Sequence, residues 1–168
     1  MRGAILITLL VLAMTAQGAG IVREGLLGYE WQANTMDWRA TQIPDLVRIS
    51  QDETELMFIR NRAIAVLGHL GDTTSMEALL GLLGSLGTSE AGIGLKRRIV
   101  DELCSQPVTR NPDVQQSLIS VLASANQHLR YRAAVCLKSF PSNEAVSEAL
   151  DSYYLNAAVW ELQGLSKD

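Results

Sequence analysis

The residue types able to do covalent or metal chemistry are few in this 168-residue chain: two histidines, two cysteines and a scatter of serines. Neither His69 nor His128 neighbours a glutamate, so the paired imidazole and carboxylate donors that hold a catalytic metal are missing. His69 is expected at an exposed position of its helix and His128 in the first turn of another. A general base needs a nucleophile within hydrogen-bond reach, and nothing in the sequence places one beside either ring. No G-x-S-x-G elbow occurs, and the serines fall where caps and turns use them. Gly84, Gly87, Gly92 and Gly94 surround Thr88-Ser89-Glu90, but the lysine and hydroxyl that close a phosphate loop are absent, so residues 84–94 read as a flexible turn. The sequence therefore predicts no enzyme, no catalytic residue, no cofactor and no metal.

The elements that would carry any other activity are helices. The chain holds 25 Leu and 18 Ala, and aromatic residues are only 5%, a balance that favours helix and argues against sheet. A net charge of −4 leaves no basic excess for a polyanion, which excludes nucleic acid as the main partner. Residues 1–19 have the three parts of a secretory signal: Arg2, the apolar run from Ala4 to Met14, and a small-residue stretch through Ala19. Cleavage is expected after Gly18 or Ala19. The apolar run is shorter than the ~20 residues of a bilayer span, so a permanent span is not expected and a signal-anchor is the alternative. The location implied is periplasmic or secreted.

Beyond that segment the chain repeats itself. Ile59-Arg60-Asn61-Arg62-Ala63, ending in Leu67, recurs as Leu95-Lys96-Arg97-Arg98-Ile99, ending in Leu103, and as Leu129-Arg130-Tyr131-Arg132-Ala133, ending in Leu137. The first, fifth and ninth positions of each copy are apolar, which is one face of a helix. A break follows each copy, then a second apolar helix: Met76 to Leu83, Val114 to Leu122, and Ala145 to Tyr154. Gly68 and Gly71-Asp72, Pro107 and Pro141 are the expected stops. Thr74 with Glu77, Asn111 before Pro112, Asn126, and Ser142 or Asn143 are the expected caps. The fold predicted is all-α, a short α-solenoid of three helix-turn-helix units over residues 51–168. Residues 20–50 form a tether or a degenerate capping unit, in which Ile43 to Val47 is a helix and Leu27, Trp31 and Trp38 fall on one stripe. Ala157 to Leu165 is a candidate terminal cap.

The run Ile59-Arg60-Asn61-Arg62-Ala63-Ile64-Ala65-Val66-Leu67-Gly68-His69-Leu70-Gly71-Asp72 resembles the HEAT-like repeat of the phycobilisome-lyase type, whose first helix reads V-R-x-x-A-A-x-A-L-G-x-L-G-D. Residues 129–140 resemble it through Leu129-Arg130, Ala133-Ala134, Cys136-Leu137 and Phe140, with Lys138 and Pro141 in place of two glycines. Copy two departs further, with Lys96 for the arginine, Ile99 for the alanine and Gln106 at an apolar position. The resemblance implies a structural role for Arg60, Lys96 and Arg130, reaching acidic groups of a neighbouring unit, with Asp72 and Asp101 as acceptors. In a solenoid, partners are expected along the second helices, where Glu77, Gln115, Gln116, Glu148 and Asp151 sit with Tyr153 and Tyr154 at one end. The two tyrosines equally suit covering the last unit's core. Lyases with this repeat act in the cytosol on bilin proteins, which the signal argues against.

Arg62, Arg98 and Arg132 form a second basic column. Residues two apart on a helix point about 200° apart, so the two columns cannot share a face, and the second is expected to face solvent. There it serves solubility or docks an acidic partner or membrane surface. In the alignment Cys136 takes the inward place of Val66 and Cys104 that of Gly68; with helix axes ~8–10 Å apart this argues against a bridge and for a buried thiol at Cys136. The function expected is that of an exported non-catalytic scaffold or adaptor binding another protein. A lyase-like enzyme and a self-associating subunit are the alternatives.

Overall fold

The computed structural model describes residues 20–27, 38–105, 111–141 and 143–157. Among these every regular element is helical: α1 (residues 20–27), a short 3-10 turn (Ala40–Gln42), α2 (Ile43–Gln51), α3 (Met57–Leu70), α4 (Thr73–Ser85), α5 (Glu90–Ser105), α6 (Pro112–Val121), α7 (Gln127–Lys138) and α8 (Glu144–Asn156). The expected stop at Pro107 and the cap at Ser142 lie outside the described residues, as do Trp31, Trp160 and Leu162.

Local chemistry explains where the helices start. Asn111, Asn126 and Asn143 are N-caps whose side-chain oxygens accept from the backbone N–H of Asp113, Leu129 and Val146, satisfying donors that a first turn leaves unpaired. The α4 cap differs from the expected Thr74–Glu77 box. Asp72 caps instead, accepting from Ser75 N–H at 2.7 Å, because its carboxylate lies three residues before a donor of the first turn. Gly71 ends α3 with φ 63°, a left-handed conformation that suits glycine. Gly68, expected as a stop, is inside α3 and buried. Nor are residues 84–94 one flexible turn. α5 begins at Glu90 and includes Gly92 and Gly94, and a Cβ at Gly92 would lie 2.4 Å from Gly87 O. The glycine admits the connection close to the helix.

The three repeated segments become α3, α5 and α7, each packed on the next, while α2 lies against α3 and α4, and α6 against α7 and α8. Ile59, Ala63 and Leu67, Leu95, Ile99 and Leu103, and Leu129, Ala133 and Leu137 are all buried in one core cluster. Each fully buried leucine or isoleucine contributes about 1.5–3 kcal/mol. The same core receives Leu46 and Ile49 of α2 and Val22 and Leu26 of α1. The expected α1 stripe is thereby shifted: Leu27 is 44% exposed, since Val22 and Leu26, four residues apart, carry the inward face.

Candidate functional site

Apart from Lys96, the two basic columns are tied down by backbone and acids rather than displayed. Arg60 is only 6% exposed and its Nε donates to Ser50 O at 2.9 Å, while Arg130 Nη1 donates to Ser124 O at 3.0 Å. Both guanidinium groups thus meet carbonyls at or just beyond the end of the preceding second helix, where the last turn leaves acceptors unpaired. The expected acceptors Asp72 and Asp101 are engaged elsewhere, Asp72 as the α4 cap and Asp101 by Arg132. Lys96 is half-buried and lines a groove with Leu80 of α4 and Ser117 of α6.

The second column does not face open solvent. Arg62 Nη1 donates to Leu26 O at 2.8 Å and Leu27 O at 3.1 Å, closing the end of α1, and its guanidinium lies 5.3 Å from the Phe58 ring centre. Arg98 pairs with Glu102 one turn along, at 2.5 Å. Arg132 pairs with Asp101 across from α7 to α5. All three are half-buried; Arg62 and Arg132 find acceptors on neighbouring elements that the single-helix projection leaves out, and Arg98 finds one on its own helix.

Among the second-helix residues, Glu77, Gln116, Glu148 and Asp151 are exposed and Gln115 is half-buried. Tyr153 is 5% exposed and packs with Ala134, Tyr131 and Leu150, so it covers the core, whereas its neighbour Tyr154 stays at the surface. The ring centres of the two tyrosines are 5.8 Å apart. Exposed apolar side chains gather elsewhere, at Leu56, Met57 and Phe58 and at Leu155, the last 87% exposed.

Cys104 and Cys136 form a disulfide with Cα atoms 5.6 Å apart, correcting the buried thiol expected at Cys136. Interaxial spacing misleads here: each Cα sits about 2.3 Å off its axis, so facing Cα atoms approach to within bridging range. The bridge borders an open groove of about 650 Å³ between α5 and α7, lined by Arg97 and Asp101 on one side and by Tyr131, Arg132 and Val135 on the other. His128, exposed in the first turn of α7, lies at its edge. This feature was invisible in the sequence because the repeat alignment does not specify how far one helix slides along the next.

Among the described residues no group of three or more His, Cys, Asp or Glu could hold a metal ion, and no helix there is long and apolar enough to cross a membrane. The histidines stay apart, His69 at the end of α3 and His128 at the start of α7. Comparison with protein-family models, curated proteins and solved structures finds no match to this chain.

Proposed function

We propose that α3 to α8 form a short α-solenoid of three HEAT-like units, and that the chain is an exported, non-catalytic module that binds another protein as a scaffold or adaptor. The observation carrying this reading is the side-by-side packing of α3, α5 and α7 through equivalent, fully buried residues of the three copies. Hairpins that must hide such faces from water stack on one another and leave an extended outer surface. The recurrence of Arg60 and Arg130 on backbone carbonyls of the preceding unit adds support. So does the Cys104–Cys136 bridge, since structural disulfides persist in oxidising compartments. The acidic and amide side chains of the second helices, Glu77, Gln116, Glu148 and Asp151, are the proposed partner-facing positions, with Tyr154 at one end.

Photo-crosslinkers placed at Glu77 and Glu148 in the full chain test the reading. Capture of one defined protein from the export compartment, with an amino terminus at Ala19 or Gly20, supports it; an uncleaved cytosolic protein with no specific adduct overturns it. The apolar residues exposed at Leu56–Phe58 and Leu155 favour a second reading, in which two copies pair. Analytical centrifugation over a concentration series separates the two, because a monomer throughout removes self-pairing.

A further inference from the structure

The groove between α5 and α7 is separate from the second-helix positions assigned to a protein partner, and it combines three properties that solubility and packing leave unexplained. Its volume of about 650 Å³ falls in the range of small-molecule sites. Its surface is apolar where the Cys104–Cys136 bridge, Val135 and Tyr131 line it. Its rim carries a net positive charge in a chain of net charge −4. Among the described residues the only carboxylate lining it, Asp101, is paired with Arg132. Arg97 makes no hydrogen bond or ion pair among the described residues and is half-buried at the groove wall, so its charge is available to whatever occupies the space.

The geometry points to a binding site for a small amphiphilic anion, a carboxylate or sulfonate on a planar apolar body, seated beside the disulfide with its charge on Arg97. Five guanidinium N–H donors match a three- or two-oxygen anion, and a partly desolvated charged pair is stronger than the same pair in water. The apolar body gains by covering Val135, the Tyr131 ring and the bridge sulfurs. Because the bridge ties α5 to α7, the groove walls are held in place before the ligand arrives, which lowers the ordering cost of binding.

Titration of the oxidised full chain with anilinonaphthalene sulfonate, followed by its fluorescence, tests the site. One saturable class of binding is expected. Phenylnaphthylamine, the same rings without the sulfonate, should bind at least tenfold more weakly, and Arg97→Glu should weaken the sulfonate at least tenfold while Arg97→Lys retains most of its affinity. Phe58→Ser, which removes an exposed aromatic ring outside the groove, should leave the titration unchanged. The proposal is overturned by absence of saturable binding, by equal affinity for charged and neutral probes, by equal affinity in wild type and a folded Arg97→Glu, or by loss of the signal in Phe58→Ser. The two-probe comparison in the wild type holds even where a variant fails to fold, as judged by far-ultraviolet circular dichroism.

Discussion

Gly68 and Glu102 meet in the seam between α3 and α5, and one of them has to be small. A Cβ at position 68 would lie 2.2 Å from Glu102 Oε2 and 2.9 Å from Glu102 Cβ. The carboxylate could swing aside, but the Cβ is fixed to α5, so an added methyl pushes the helices apart. Gly68→Ala is expected to cost about 1–3 kcal/mol by overpacking, read from denaturant midpoints at constant m-value; unchanged stability would mean that α3 and α5 are further apart than described. Glu102 itself sits between opposing influences. Burial raises its pKa above 4.5, the Arg98 partner at 2.5 Å pulls it down, and burial prevails. A raised acid pKa in the folded state makes the stabilising contribution of this group complete below its ordinary value and lost as pH rises through the raised one. Wild type should therefore lose more stability than Glu102→Gln as pH rises upward from about 4.5, and parallel pH profiles for the two proteins would contradict that sign. Glu55 behaves oppositely: the Arg23 side chain, at 2.6 Å, and the Leu56 N–H hold its pKa low.

Between elements, three kinds of clamp set how the helices lie. Asparagine caps define where α6, α7 and α8 begin, and Asn126→Ala is expected to cost about 1 kcal/mol, measured by urea denaturation. Arginines bind the ends of other helices: Arg60 on α3 holds the last turn of α2, and Arg62 on the same helix holds the end of α1. Their opposite directions along one helix allow α3 to gather the elements before it on two sides. The disulfide is the third clamp, joining α5 to α7 across a sequence separation of 32. Closing a loop of that length is worth about 3–4 kcal/mol, chiefly by restricting the unfolded chain. Reduction, or the double change Cys104→Ser with Cys136→Ser, should lower unfolding free energy by about that amount; equal stability of oxidised and reduced protein would contradict a bridge that constrains the unfolded state. Two cysteines in a chain expected to be exported are enough to raise the question from sequence, but their pairing depends on axial offset, which no residue count supplies.

At the scale of the whole molecule, α3, α5 and α7 bury equivalent faces against one another, so a charge in any of the three should act globally. Ala133→Glu and Leu67→Asp each place a carboxylate at a position with no exposed surface, where an unpaired charge costs several kcal/mol. Loss of the cooperative thermal transition in both is expected; a retained sharp melt would mean that these residues do not sit in the shared core. What could be read from the sequence lay within single helices and their ends: the all-helical class, the buried first, fifth and ninth places, the asparagine caps and the glycine stop at Gly71, though not the Asp72 cap of α4 or the start of α5. Those features depend on neighbours a few residues apart, and a 3.6-residue turn makes their directions calculable from spacing alone. Gly68 escaped because a helix-ending glycine and a close-packing glycine are identical in sequence. The partners of Arg62 and Arg132, the carbonyl acceptors of Arg60 and Arg130, the burial of Tyr153 without Tyr154, the disulfide and the groove beside it were decided only in the folded chain. Each depends on the offset and rotation of one helix against another, and those follow from the simultaneous packing of many side chains rather than from any local spacing.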